Sequence, residues 1–375
     1  MTETLRFEFD RGPFGRGAGF AAPRAVIRAD SPEQVAGAFE AIEKARAQGF
    51  WLAGVLSYEL GYVFSARLAP LMPAGREMPL MLFGVYDAPG APRPAPAVAE
   101  DFPRLRPLLS PDAYREAFAR VQDYIAAGDV YQINLTFPLA GACTASAPAL
   151  YARLKAAQPV GQGVLVEAGE FALLSRSPEL FFALDASGRA MVRPMKGTLA
   201  RGATPEADRA AAEWLAGSEK NRAENLMIVD LMRNDLSRLA ELGSVQVPQL
   251  FAIETYATVH QMTSTVTAQL AQNIDFARIV AALFPCGSVT GAPKIRAMQI
   301  IRELEPTPRG AYCGAIGWLA PDGSMEFNVA IRTLLLRDGQ VRLNVGGGVV
   351  HDSDGEAEWN EALTKAAFVS APPRG

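Results

Sequence analysis

The stretch YCGAIGWLAPDGSMEFNVAIRTLLLRDGQVRLNVG, residues 312–346, decides the fold class. Short apolar blocks run through it, interrupted at Asp322-Gly323 and Asp338-Gly339. Asp-Gly between β-prone runs marks a tight hairpin, because the turn positions need positive φ. Strands are therefore predicted at about 312–319, 325–337 and 340–346, running antiparallel. Working outward, strand signals recur at about 130–139, 163–168, 171–175, 180–184, 189–193, 245–247 and 256–270. Helices are predicted at about 110–127, 148–157, 206–216, 219–240, 275–284, 292–304 and 354–370, the first opened by Ser110-Pro111-Asp112. Strand groups alternating with helices point to an α/β (α+β) domain with largely antiparallel sheets.

Before this domain, residues 1–86 mix strands with one helix. Ser31-Pro32-Glu33-Gln34 reads as a cap with Pro at N1, opening a helix to about Gln48, and Phe50 to Tyr58 reads as a buried strand. Residues 87–109 are rich in Pro and Ala without periodicity, which predicts a linker. The expected division is an N-terminal region at 1–86, a linker at 87–109 and the main domain at 110–371.

The 375 residues are 49% hydrophobic and 20% charged, ample for a large core. With a net charge of -4 and no basic stripe, nucleic acid is not an expected partner. No apolar run approaches the ~20 residues that span a bilayer. The N-terminus MTETLRFEFDRG lacks the apolar core of a secretory signal, so a cytoplasmic protein is expected. Cys143, Cys286 and Cys313 are widely spaced, which argues against a zinc ribbon or a disulfide framework. With only His260 and His351, a metal site would have to be built from carboxylates, which favours a hard ion such as Mg²⁺.

Several segments carry residues suited to chemistry. Pro194-Met195-Lys196-Gly197-Thr198 falls between strand signals and a polar, helix-prone stretch. Lys196 is either a strand-end lysine reaching water or a buried one. Burial would lower its pKa and yield a neutral, nucleophilic amine. In Glu219 to Arg238 (EKNRAENLMIVDLMRNDLSR), a helix puts Glu224, Ile228, Leu231 and Asp235 on one face. A surface helix laced with i,i+4 pairs is the plainer alternative, though the LMIVDLM centre is too apolar for full solvation.

A second acidic cluster, Asp352, Asp354, Glu356, Glu358 and Glu361, leads into the helix that carries Lys365. Asp354 and Glu356 suit a helix N-terminus, and Glu361 suits a pair with Lys365. Glu358 and Glu361, three apart, share a face. One glutamate from each helix suits a Mg²⁺ that keeps its waters. Gly346-Gly347-Gly348 offers either an anion cradle or a tight strand crossover. The loop PCGSVTGAPK (285–294) lacks the G-x-x-x-x-G-K-[ST] order, which excludes a phosphate loop.

Together, DVYQINLT (129–136), SRSPELF (175–181), PMKGT (194–198), AENLMIVDLMRND (223–235), CGSVTGAPKIRAM (286–298), RGAYCGAIG (309–317), FNVAIRT (327–333) and GGGVVHDSDGEAEWNEALTKA (346–366) resemble the chorismate-utilising enzymes. That family includes anthranilate, isochorismate and aminodeoxychorismate synthases. The resemblance covers about 110–370 in order and is weaker before the linker. It implies an anthranilate-synthase-like chorismate-binding fold, with antiparallel sheets packed as a sandwich and flanked by helices.

Family positions then discriminate within the resemblance. Isochorismate and salicylate synthases carry a water-activating lysine where Gln132 stands. Anthranilate synthases typically carry alanine where Lys196 stands, whereas the aminodeoxychorismate branch carries lysine. Anthranilate synthases also carry a histidine where Gln261 stands, and His260, one residue earlier, would face the other side of the strand.

The implied activity is conversion of chorismate and ammonia to 4-amino-4-deoxychorismate, on the route to 4-aminobenzoate and folate. Anthranilate synthase component I is the alternative. The resemblance implies Lys196 as nucleophile and Glu179 as general acid. It implies Mg²⁺ held by Glu224 and Glu361 with Glu358 nearby. Arg332, Tyr312, Gly346, Gly347, Gly348, Lys365, Thr198 and Gln132 would bind the substrate. No glutaminase or lyase segment is read in the sequence, so a glutamine amidotransferase subunit supplying ammonia is the expected partner.

Overall fold

The computed structural model describes residues 5–94, 96–99, 102–256 and 259–370. Its strands form two antiparallel sheets. The first runs in the order Gly291–Ala292, Gln132–Ala142, Gln340–Val349, Thr333–Arg337, Ala172–Ser177, Gln162–Glu167, Arg6–Phe9, Ala18–Phe20. The short strand Arg106–Pro107 also pairs with Gln132–Ala142. The second runs Met195–Ala200, Val259–Gln269, Arg189–Val192, Leu180–Leu184, Met325–Val329, Ala315–Leu319, Trp51–Leu56, Met81–Tyr86, Ala25–Ala29. Gln246–Thr255 pairs with Val259–Gln269 as well.

Both predicted hairpins form. Asp338 and Gly339 adopt φ of 49° and 71°, as a type I′ turn requires, and Arg337 pairs with Gln340. The single strand expected at 325–337 is instead two strands in different sheets. Met325–Val329 belongs to the second and Thr333–Arg337 to the first, so the chain crosses at Ala330–Arg332.

Period-two alternation sorts side chains into layers. Phe7, Val164, Val166 and Leu173 of the first sheet meet Ala53, Val55, Leu82, Ile316 and Trp318 of the second in one buried cluster. Leu165, Leu174, Leu343 and Val345 point the other way, toward helices Pro111–Ala126, Ala147–Ala157, Lys294–Leu304 and Gly355–Ala366. Val35–Ala47, Glu219–Ser237 and Phe276–Leu283 cover the outer face of the second sheet. The result is a two-sheet sandwich with helices on both outer faces.

The N-terminal segment makes no sheet of its own. Arg6–Phe9 pairs with Gln162–Glu167, and Trp51–Leu56 pairs with Ala315–Leu319. The strand expected to reach Tyr58 stops at Leu56, and a 3₁₀ run follows over Tyr58–Phe64. Within 87–109, Ala99 N donates to Ala149 O at 3.2 Å; residues 95, 100 and 101 lie outside the described ones.

Candidate active site

Lys196 falls between the strands Leu180–Leu184 and Arg189–Val192 and the helix Pro205–Gly217, as expected, and lies within a further strand, Met195–Ala200, at the sheet edge. The pairing with Val259–Gln269 slips between Met195 and Thr198, and Gly197 there has φ of 84°. This bulge takes Lys196 out of the ladder. Its amine reaches the first sheet. A Cβ on Gly348 would stand 3.1 Å from Lys196 Nζ and 2.9 Å from Gln132 Nε2. Part of the Lys196 side chain stays accessible, but its amine end is surrounded by protein. Burial, helped by Lys365, holds its pKa below the ordinary lysine value. Glu224, Glu179 and Glu361 pull the other way without winning.

Gln132 is fully buried, and neither its Oε1 nor its Nε2 has a partner among the described residues. Each such orphaned group costs about 1–3 kcal/mol, so this amide is built to meet a ligand or a water.

Two crossovers between the sheets run side by side here. At the first, Glu179 sits between Ala172–Ser177 and Leu180–Leu184. At the second sits Arg332, with φ of 50°. Arg176 N donates to Arg332 O at 3.0 Å, and Val329 N donates to Glu179 O at 3.1 Å. Glu179 is buried, which pushes its pKa up to about 7 against the opposing pull of Ser288 and Lys196. The Arg332 guanidinium joins no ion pair among the described residues, and burial lowers its pKa. An enclosed, unpaired guanidinium fits a carboxylate geometrically and electrostatically.

Gly346, Gly347 and Gly348 are neither a loop nor a crossover. They lie inside strand Gln340–Val349, opposite Thr136, Leu135 and Asn134. Asn134 and Thr136 send their amides away from this strand, to Thr290 O and Glu305 Oε1. By antiparallel alternation, the amides of Gly346 and Gly348 then face the strand's free edge. Lys365 reaches over that edge, donating to Gly346 O at 2.9 Å and pairing with Glu361 at 2.8 Å.

Gly347 faces the terminal helix instead. A Cβ there would stand 2.7 Å from Glu358 Oε2. Burial raises the Glu358 pKa, as does Glu361, whereas Ser353 and Lys365 lower it. Burial also acts on Glu361, but Lys365 outweighs it and holds its pKa low. Asp354 caps this helix by accepting from Ala357 N at 2.8 Å, as its position suggested.

Among the described residues, no three His, Cys, Asp or Glu side chains are gathered as a metal cage. The donor set nevertheless fits Mg²⁺, which commonly takes one or two carboxylates and completes its shell with water and substrate oxygens. Glu224 and Glu361 both act on the Lys196 amine, and Glu358 leans over the strand face left bare by Gly347.

Thr198 Oγ1 donates to Gln261 Oε1 at 2.9 Å, and Gln261 Nε2 donates to Gly197 O at 3.0 Å. His260 turns the other way, with Nε2 2.9 Å from Asp208 Oδ1. Tyr312 is buried, which raises its phenol pKa well above the ordinary value. It lines a cavity of about 120 Å³ with Thr333 and Asn344, a lining that includes neither Lys196 nor Gln132, so the structure does not bring Tyr312 together with the Lys196 site. On the helix of Glu224, Asp235 is taken by Lys294 at 2.7 Å and serves structure.

Ser288 carried no assignment from the sequence. Its Oγ donates to Glu179 Oε1 at 2.7 Å across 109 residues of chain. Its only sequence signal was membership of the small-residue loop 285–294.

A family model described as chorismate binding enzyme matches residues 89–371. The chain is 48% identical over 257 residues to an aminodeoxychorismate synthase of Streptomyces griseus, covering 68% of this chain and 35% of that protein. It is 40% identical over 338 residues to aminodeoxychorismate synthase component 1 of Klebsiella aerogenes, covering 83% and 74%. The match thus spans from about a third to about three quarters of these relatives' lengths. The crystal structure of anthranilate synthase component I from Streptococcus pneumoniae superposes with a TM-score of 0.79 at 24% identity, covering 98% of this chain and 91% of that one. At that identity the likeness speaks for the fold alone.

Proposed function

The chain belongs to the family of chorismate binding enzymes, and from that premise we propose that it converts chorismate and ammonia to 4-amino-4-deoxychorismate. The observation that carries this reading is the enclosed Lys196 amine, its pKa lowered, beside Gly348 and the unpartnered Gln132.

In the proposed reaction, neutral Lys196 adds to C2 of the chorismate ring. The diene electrons shift and the C4–O bond breaks. Glu179 gives its proton to the departing hydroxyl, which leaves as water. Ammonia then adds at C4 and the lysine amine departs from C2. Dividing one difficult displacement into two easier steps is the gain of covalent catalysis. A carboxyl with pKa about 7 is suited to donate a proton near neutral pH.

Arg332 would take one substrate carboxylate, with Tyr312, Lys365 and the free-edge amides of Gly346 and Gly348 completing the shell. Gly347, whose amide turns toward the paired strand, contributes an absent side chain. Thr198 and Gln132 would hold the ring from the Lys196 side. Glu224 and Glu361, with Glu358 alongside, would hold Mg²⁺, which when bound screens a carboxylate and polarises it as a Lewis acid. Ammonia would come from a glutamine amidotransferase subunit; the "component 1" in the name of the Klebsiella relative supports a second component. No described helix is long and apolar enough to cross a membrane.

Mass spectrometry of the protein with chorismate and Mg²⁺ but no ammonia tests this reading. An adduct on Lys196, absent from Lys196→Ala, is the expected result. Anthranilate fluorescence on adding ammonia, without any lyase, would favour the anthranilate synthase alternative.

A further inference from the structure

The loop that carries Ser288 has no part in the reaction proposed above, yet it touches the acid. Ser288 is 5% exposed, and its Oγ donates to Glu179 Oε1 at 2.7 Å. A serine hydroxyl has one proton to give. Spent on Glu179, it leaves Ser288 as the acceptor toward Cys286, whose Sγ lies 3.2 Å away. The row therefore runs one way, from thiol to hydroxyl to carboxyl. Glu179 Oε2 makes no hydrogen bond among the described residues.

Ser288 is itself held firmly. Its 3₁₀ turn, Gly287–Val289, is closed by Thr290 Oγ1 donating to Cys286 O at 3.1 Å. A Cβ on Gly287 would collide with Leu231, so only glycine seats this turn against the helix that carries Glu224. On the opposite side, Ser177 Oγ donates to Val329 O at 2.6 Å and accepts from Glu179 N at 3.2 Å. Both ends of Glu179 are fixed, its backbone by Ser177 and one carboxyl oxygen by Ser288.

We infer that Ser288 is the positioning residue of the general acid: by donating to Oε1 it favours carrying the carboxyl proton on Oε2, the oxygen without a hydrogen bond. This inference rests on the reading of Glu179 as the acid. The charged and titratable groups facing Glu179 are Lys196, which favours the anion, and the Cys286 thiol, kept neutral by burial with Lys294 behind it. Ser288 also favours the anion, so its hydroxyl both aims the proton and keeps it releasable.

The test uses Ser288→Ala and Ser288→Thr in the full chain. The Glu179 carboxyl is titrated by infrared difference spectroscopy, with Glu179→Gln identifying its band. Steady-state rates are measured with chorismate and ammonia. Ser288→Ala should raise the carboxyl pKa by about one to two units, the loss of one hydrogen bond to a charged group. It should also lower kcat about 10- to 100-fold with the chorismate KM unchanged, and Ser288→Thr should restore both. A wild-type titration and kcat in Ser288→Ala would overturn the inference. If that variant does not fold, Ser288→Cys, a weaker donor of similar size, must show the same upward shift or the inference falls. Full turnover by Glu179→Gln would instead remove the general-acid reading, while the carboxyl titration still reports on the hydrogen bond.

Discussion

Gly348 and Lys196 belong to different sheets, yet a Cβ on the glycine would stand 3.1 Å from the lysine amine. The space that a side chain would take at Gly348 is the space between the proposed nucleophile and Gln132. Gly348→Ala should therefore leave the fold intact, because no positive φ is needed there. It should cut turnover by about 100-fold, as expected when a reacting group is displaced by an ångström or so. Circular dichroism together with steady-state rates would check both halves; wild-type turnover would show that the gap is not used.

Arg332 is a half-buried cation with no acid paired to it among the described residues. Arg332→Lys keeps a charge but loses the planar fork. The expectation is a fall in kcat/KM for chorismate of about 10- to 100-fold, the loss of one charge-assisted hydrogen bond, expressed mainly in KM. Stability should hold or rise, since no native ion pair is broken. A stability loss with unchanged KM would mean that Arg332 serves the fold.

Glu179 supplies a pH-dependent cost to folding. Its folded pKa of about 7 lies above the ordinary 4.5, so the folded state binds the proton more tightly. The stabilisation from that proton is fully present below about pH 4.5 and is lost as pH rises through about 7, where the cost of the buried anion takes its place. Glu179→Gln, a mimic of the protonated form, should thus gain on wild type by about 3 kcal/mol between pH 4 and pH 8. Denaturant unfolding of both proteins across that range measures the difference; parallel stability curves would mean that Glu179 is not proton-loaded.

On the side of Gln132–Ala142 away from the glycine strand lies a buried ion pair. Arg309 Nε and Nη2 donate to Glu305 Oε2 and Oε1 at 2.8 and 2.7 Å, and Nη2 also donates to Asn134 O at 2.7 Å. Glu305 Oε1 in turn accepts from Thr136 N at 3.0 Å. Glu305→Gln would leave the Arg309 charge buried without a counter-ion, at a cost of about 3–5 kcal/mol. Thermal unfolding reads this directly. A loss below about 1 kcal/mol would mean that solvent reaches the pair.

Chelation addresses the acidic set. Removing divalent ions should abolish adduct formation on Lys196, and Mg²⁺ should restore it. Glu224→Gln should raise the Mg²⁺ concentration needed by about 10- to 100-fold. Adduct yield unaffected by a chelator would remove Mg²⁺ from the proposal.

Much of this was legible in the chain because it is local. Asp338-Gly339 specifies its turn through backbone preference alone, and Asp354 caps its helix within three residues. The helix face of Glu224, Ile228, Leu231 and Asp235 follows from periodicity, although its acids diverge: Glu224 acts on Lys196 and Asp235 is taken by Lys294. The crossover offered for the glycine row does not form: three glycines lack strand propensity, and pairing with Gln132–Ala142 overrides that weakness. The strand predicted over 325–337 hid a change of sheet, since apolar blocks look alike whichever sheet they join.

By itself, then, the sequence determined the antiparallel class, the motifs of the chorismate binding enzymes and the residues proposed here for the chemistry. These are properties of short stretches, fixed by turn preference, periodicity and side-chain type. The tertiary structure decided what those residues meet. A bulge brings Lys196 to Gly348, two adjacent crossovers tie Glu179 O to Val329 N and Arg332 O to Arg176 N, and Ser288 finds Glu179 across 109 residues. Such contacts depend on sheet order and register, which are set by the packing of the whole core rather than by any neighbouring residue.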